Sequence, residues 1–269
     1  MININRTLTY ILIIGGMIAM TSCSNSKTET GSQSSAAKTV QTASSQTETA
    51  PAAEFKKPEE YGKVIALTFD DGPSPVTTNM VLDVLEKYDV RATFFLVGNN
   101  ISEGTADTIK REYDMGCEIA NHSQTHSYMT KMTADEIKAE IDFTDGKIKE
   151  ITGTVPAFFR PPYIDVNDTM FENIDKPFIN GFGCNDWDDS VTAEERAQTV
   201  LNQAEDGAII LMHDAQGNDQ TVEALETIIP ALLDDGYELV TVSELFHAKN
   251  ITPDEDSFVY SNVLQETPW

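Results

Sequence analysis

From Lys63 onward, short apolar runs alternate with amphipathic segments, and this alternation narrows the possible folds more than any other feature of the chain. Runs at 64–68, 92–97, 117–120, 157–160, 178–183, 208–212 and 238–242 read as seven strands. Between them, 77–88 (Met80, Val81, Val84, Leu85, Tyr88), 133–152 (Ile137, Ile141, Ile148, Ile151) and 219–234 (Val222, Leu225, Ile228, Ile229, Leu232) space their apolar residues as helices do. Repeated β-α units force a parallel sheet with right-handed crossovers. Seven strands in about 190 residues predict an α/β fold of the incomplete (β/α) barrel kind rather than an open Rossmann sheet. No GxGxxG follows any strand.

In such a barrel the chemistry gathers where strands end, at the carboxyl face. The residues there are unusually polar: Asp70-Asp71 after the first strand, His122 after the third, Arg160 after the fourth, Asp186-Trp187 after the fifth and His213-Asp214 after the sixth. With His126, which follows His122 closely, three of the four histidines of the chain fall at this face. His122 and His126 stand four apart, a spacing that lets both imidazoles face one point if the segment turns helically after its strand. Taken alone, the pair reads equally as two surface or capping histidines. Asp70 and Asp71 are consecutive, so their side chains leave the strand end in different directions and can serve separately as ligand and base. In isolation they would suit turn chemistry before Gly72-Pro73. Two histidines and one carboxylate leave open positions on a Zn-like ion, the arrangement of a reactive rather than a structural site. Taken singly, Trp187 reads as core, Arg160 as a strand-end cation and Asp186 as a helix cap. Their common register with the strand ends favours a site.

Charge and cysteine content set further bounds. The 269 residues carry 18 basic and 44 acidic side chains, a net charge of −26 that argues against nucleic acid as a partner. Residues 1–60 are neutral overall, so the whole imbalance sits in 61–269. Three cysteines exclude a disulfide framework, and no CxxC pair offers a thiolate metal site. Cys117 and Cys184 fall on expected strands and fit either a disulfide or two buried thiols. His247 has no motif around it and is expected at the surface.

At the N-terminus one basic residue, Arg6, precedes the apolar run Tyr10–Met20, too short for a comfortable membrane span and suited to a secretory signal. Met20-Thr21-Ser22-Cys23 resembles the lipobox of bacterial lipoproteins, which makes Cys23 the expected lipid anchor. The Ser, Thr, Ala and Gln-rich stretch that follows cannot bury enough apolar surface to offset its ordering entropy. The expected organisation is a signal peptide at 1–22, a flexible tether at 23–60, a catalytic domain at 61–248 and a tail at 249–269.

Five segments in order, Thr68-Phe-Asp-Asp-Gly72, His122-Ser-Gln-Thr-His126, Arg160-Pro-Pro-Tyr163, Asn185-Asp-Trp187 and Leu211-Met-His213, resemble the motifs of the NodB-homology polysaccharide deacetylases, carbohydrate esterase family 4. The likeness spans roughly 61–247. It implies a distorted (β/α)7 barrel and metal-dependent hydrolysis of acetyl groups from a polysaccharide. Carried over residue by residue, it makes Asp70 the general base and Asp71, His122 and His126 the ligands of one divalent ion: Zn, Co, Mn or Ni. Arg160 would orient the base, the Tyr163 N–H would help hold the oxyanion, and His213 would be the general acid tuned by Asp186. Trp187 would wall the groove and Leu211 line the acetate pocket. Gly183 stands where an Asp is common and Ile164 where a Gly is common, so the chain departs from the family pattern beside the groove. The Asn185-Asp-Trp187 version and the stretch 235–246 lean toward the acetylxylan-esterase type.

A strongly acidic surface favours neutral polymers over polyanions. That suits acetylated xylan and chitin-type oligomers alike, and the likeness to the acetylxylan-esterase type puts O-acetyl xylan ahead of N-acetylglucosamine polymers such as chitin-type oligomers or peptidoglycan as the expected substrate. An inert carbohydrate-binding lipoprotein is the competing class, and it would be expected to lack part of the Asp70, ligand or His213 set. The expected protein is an exported monomer, touching the membrane through its lipid anchor alone.

Overall fold

The strand Lys63–Asp70 (β1) is buried from its second residue to its last, as expected of a central strand covered on both faces. Its alternate residues divide between two cores. Ile65, Leu67 and Phe69 join the large cluster under the surrounding helices, while Val64 and Ala66 join a smaller cluster inside the barrel. The computed structural model describes residues 55–255 and 258–267. The expected signal peptide and Cys23 lie outside them.

Around β1 the strands are parallel. Thr93–Leu96 (β2) pairs its second half, and Glu118–Asn121 (β3) continues beyond β2. On the other edge lies Ile209–His213 (β6), with Asp70 opposite His213 in register. Phe182–Gly183 (β5) pairs with β6, and Tyr237–Leu239 (β7) with the start of β1. Phe178–Ile179 (β4) pairs with Val259–Tyr260 (β8). The ring between β3 and β4 is carried by single bridges through Phe159, to Asn121 on one side and Phe178 on the other. This is the distorted α/β barrel expected from the sequence.

Helices cover the outside: Thr77–Tyr88 (α1), Ala106–Asp114 (α2), Ala134–Thr152 (α3), the single turn Asp168–Phe171 (α4), Ala193–Gln203 (α5), Asp219–Asp234 (α6) and Val242–Ala248 (α7). Sequence spacing locates α1, α3 and α6. The start of α3 is closed by a capping box in which Thr133 accepts from the Glu136 N–H and Glu136 returns the bond, and Gly153 at φ 78° stops it in the left-handed conformation. Thr192 and Glu195 cap α5 in the same way.

Several expectations need correction. The run 157–160 makes only bridges, because Pro156, Pro161 and Pro162 flank it and cannot donate to a ladder. The run 178–183 breaks in two at Gly181 (φ 140°), where an added Cβ would come within 2.9 Å of the Leu211 Cβ. The tail expected from 249 contributes β8, and Ile209 N–H donates to the Ser261 carbonyl at 2.9 Å, so this part of the tail forms barrel wall. The last residues of the expected tether are also docked: the Lys56 ammonium pairs with Glu238, and the Lys56 carbonyl accepts from His247 Nε2 at 2.8 Å. His247 is accordingly half-buried, against Phe55 and Tyr61, rather than free at the surface.

Cys117 precedes β3 and Cys184 follows β5, so neither lies within a strand. Both are buried free thiols, pushed up to about 12 by burial.

Candidate active site

The carboxyl ends of the strands open into a cleft of about 580 Å³. Asp70, Asp71, His122, His126, Tyr163, Asp186, Trp187, Leu211 and His213 all line it. Arg160 lies fully buried behind Asp70. Every sequence-expected residue within the described part of the chain is thus gathered at one place.

Asp70 closes β1 and is 2% exposed. Arg160 Nη1 donates to its Oδ1 at 2.5 Å, and Arg160 Nη2 donates to the Asn180 carbonyl. The guanidinium also sits 4.0 Å from the centroid of the Phe95 ring. Burial pushes the Asp70 carboxyl up, but Arg160, His122 and His213 together outweigh it and hold the group below the usual carboxylate range. Asp70 is therefore an ionised acceptor of protons with one oxygen tied down. Its other oxygen, Oδ2, lies 3.6 Å from His122 Nε2.

Asp71 adopts φ 72°, a left-handed conformation. Its Oδ1 stands 3.7 Å from His122 Nε2 and 3.4 Å from His126 Nε2. His122 Nδ1 lies 2.7 Å from the Arg160 carbonyl, which can only accept, so Nδ1 carries the proton and Nε2 presents its lone pair. Burial lowers the His122 pKa despite the neighbouring carboxylates, which keeps the ring neutral. One donor atom from each of Asp71, His122 and His126 lies within 4.8 Å of the others. A neutral imidazole with its tautomer fixed, a second imidazole and a carboxylate are a donor set that fits a divalent cation.

The two histidines converge without the expected helical turn. Residues 122–126 form a bend in which Ser123 (φ 65°) and His126 (φ 55°) are left-handed. Glu140 on α3 clamps this bend, its carboxylate accepting from the backbone N–H groups of Gln124 at 2.9 Å and Thr125 at 2.8 Å. Sequence reasoning missed Glu140. The available signal was a charge on the same helical face as Ile137 and Ile141, both of which are buried.

Across the cleft, His213 Nδ1 lies 2.8 Å from Asp186 Oδ1. Asp186 Oδ2 accepts from the His213 backbone N–H at 2.7 Å and the Thr221 hydroxyl at 2.8 Å. Burial lowers the imidazole pKa, but the Asp186 hydrogen bond and charge, with Asp70 and Asp71, raise it to about 9. His213 is thus a cation facing an anionic Asp70.

Tyr163 (φ 60°) turns the chain at the rim, where its ring stacks on Tyr128 at 4.1 Å between centroids and meets the His126 ring edge-on. Trp187 projects from the opposite rim, 69% exposed. The arrangement suits general acid and base chemistry on a bond held between Asp70 and His213 and above the Asp71, His122 and His126 donor set.

A family model for polysaccharide deacetylase matches residues 57–176. A bifunctional xylanase/deacetylase of Pseudobutyrivibrio xylanivorans is 55% identical over 201 residues, 75% of this chain and 33% of that protein. A peptidoglycan-N-acetylmuramic acid deacetylase of Bacillus subtilis strain 168 is 39% identical over 188 residues, 70% of this chain and 39% of that protein. The chain therefore spans only a third to two fifths of the length of these two relatives. Among solved structures, a family 4 acetyl xylan esterase from Clostridium thermocellum, in complex with a cobalt ion, is 46% identical with a TM-score of 0.74. The match covers 76% of this chain and 100% of that one. With such identity across the whole of a solved relative, and with the motif residues gathered in one cleft, the chain belongs to the polysaccharide deacetylase family.

Proposed function

We propose that this chain is an exported, lipid-anchored, metal-dependent deacetylase acting on O-acetyl xylan. The observation that carries the chemistry is the pairing of Asp70, bonded to Arg160, with its register partner His213, bonded to Asp186, in the cleft that also holds the Asp71, His122 and His126 donor set. A divalent cation held by those three residues supplies Lewis acidity, polarising the acyl carbonyl and lowering the pKa of water beside it. Asp70, oriented by Arg160, takes the proton from the attacking water. The Tyr163 N–H helps hold the oxyanion that develops on the former carbonyl oxygen. His213 then gives its Nε2 proton to the departing sugar oxygen, and Asp186 stabilises the imidazolium until that transfer. The products are acetate and a free sugar hydroxyl.

The substrate reading draws support from the printed names of the similar proteins, a xylanase/deacetylase and an acetyl xylan esterase. The 39% identity with a peptidoglycan deacetylase supports a second reading, N-deacetylation of a wall polymer. The two make different demands on His213, because an amide nitrogen leaves less readily than an ester oxygen and needs more from the acid.

The test is acetate release by the full chain, stripped with chelator and reloaded with Zn or Co, on acetylated xylan, chitin oligomers and peptidoglycan side by side. Metal-restored release from xylan is the expected result. Release from peptidoglycan or chitin oligomers alone would replace the substrate, and silence on all three would sink the enzymatic reading. Anchoring through Cys23 is tested separately by fatty-acid labelling and detergent partition of the native chain and Cys23→Ser. Equal labelling of both would sink it.

A further inference from the structure

Asp214 follows His213 directly, is 0% exposed, and takes no part in the chemistry above. Its surroundings tie it to the corner that carries base and ligand. Its backbone N–H donates to the Asp70 carbonyl at 3.0 Å. Its side chain packs against the α-carbon of Gly72, where an added Cβ would lie 2.5 Å from Oδ2 and 2.8 Å from Oδ1. Oδ2 also accepts from the Thr78 hydroxyl, whose oxygen in turn accepts the Ser74 N–H at 2.8 Å. Asp214 therefore touches the loop at its beginning through its backbone N–H, and with its carboxyl at the middle and, through Thr78, at the end.

That loop needs holding. Asp71 is a non-glycine residue in the left-handed region, a conformation costing on the order of 1 kcal/mol or more that persists only where its surroundings enforce it. From the outer side, Asn100 Nδ2 donates to the Asp71 carbonyl at 2.8 Å and the Val97 N–H to the Gly72 carbonyl at 2.9 Å. Asp214 is the support from beneath. Its Oδ1 has no hydrogen-bond partner among the described residues, and the same is true of both carboxyl oxygens of the fully buried Glu112. Burial, with smaller contributions from Asp71 and Asp70, pushes the Asp214 carboxyl up to about 7 against the Thr78 hydrogen bond, and pushes Glu112 well above its usual range. Two carboxyl groups kept in the interior without a cation beside them are costly to the fold.

We infer that Asp214 is a positioning residue, its carboxyl wedged under Gly72 and anchored by Thr78 so that the left-handed Asp71 is held where its carboxylate meets His122 and His126. The inference rests on the metal-dependent reading above. It requires residue 72 to be glycine, since any Cβ would displace the carboxyl.

The test measures Co(II) binding to the chelator-stripped full chain, by the dissociation constant and the visible absorption spectrum of the bound ion, alongside thermal stability. Asp214→Ala is expected to weaken Co(II) binding about 10- to 100-fold and to shift its absorption band, the range seen when supports of metal ligands are removed. Asp214→Asn, which keeps the shape and an acceptor for Thr78, is expected to restore most of the affinity and the native spectrum. Should Asp214→Ala fail to fold, Thr78→Val removes the anchor alone and is expected to show the same spectral shift in smaller degree. Native affinity and spectrum in whichever of these two variants folds would overturn the inference, whatever the loss in melting temperature. Failure of the native chain to bind Co(II) would overturn the metal-dependent reading itself, and this inference with it.

Discussion

Asp70 and His213 are register partners, the last residues of two neighbouring parallel strands, and they stand side by side at the carboxyl end of the barrel, lining the same cleft. One is held anionic by Arg160 and the other cationic by Asp186. In the proposed mechanism Asp70 is the base and His213 the acid, and the supports of each can be tested independently.

Removing the support of the acid should move the alkaline limb. With His213 raised to about 9, kcat/KM is expected to fall as pH rises through that value. Asp186→Asn removes the charge that opposes burial, so the limb should move toward neutrality and the rate at pH 8 should drop about 10²-fold or more. A pH-rate profile with an unmoved limb would contradict the pairing. The same pair bears on folding. Because burial is outweighed and the pKa is raised, the contribution of about 3 kcal/mol is complete below the ordinary histidine value and is lost as pH rises through about 9. The melting temperature of Asp186→Asn should therefore trail the native protein more at pH 6 than at pH 10.

Removing the support of the base should move the acid limb and cost stability. Arg160→Met leaves a buried carboxylate without its cation, a change worth about 3–5 kcal/mol. Asp70, no longer held below the usual range, should titrate higher, so activity should begin to fail at a higher pH on the acid side. Chemical denaturation and the acid limb of the rate profile measure the two effects. Asp70→Asn should keep the fold and lose about 10²–10⁴-fold in rate.

Chelation should abolish turnover, and Zn or Co should restore it in the native chain. His122→Ala should lose more than about 100-fold in metal affinity, beyond the loss typical of an outer partner. His126→Ala should fall in the same direction and keep its fold, since this ring is half-exposed whereas His122 is buried and bonded to the barrel wall. Calorimetric titration with Zn checks both, and undiminished affinity in either variant would remove that residue from the ligand set.

Trp187 should matter for the polymer and little for the bond cleaved. Its ring is 69% exposed at the rim, free to stack on a sugar face. Trp187→Ala is expected to raise KM for acetylated xylan roughly fivefold, about 1 kcal/mol of lost aromatic contact. Turnover of a small aryl acetate should stay near the native rate. Equal losses on both substrates would place Trp187 in support of the cleft rather than in contact with the chain.

Much of this was legible before any coordinates. The strands with long apolar runs, such as β1 and β6, and the helices with clean spacing, α1, α3 and α6, stand where the sequence places them. The weak points are those where backbone geometry overrides pattern. The run at 157–160 has strand composition but too many prolines beside it to build a ladder. The run at 178–183 hides a kink at Gly181, visible only when the approach of Leu211 is known. In β8, two residues within a polar stretch give no periodicity to read.

What the sequence by itself determined is which side chains can do the chemistry. Polar groups collect immediately after apolar runs, and a parallel barrel brings all such positions to one face. Only the tertiary structure decided which of them work as pairs. Strand register set Asp70 opposite His213, two left-handed residues rather than a helical turn aimed His122 and His126 together, and Glu140 and Asp214 supported their loops from helices and strand ends distant in sequence. The reason is physical. Burial and a facing charge each shift a pKa by amounts that depend on distance and on exclusion of water, and both quantities are properties of the packed fold rather than of the order of residues.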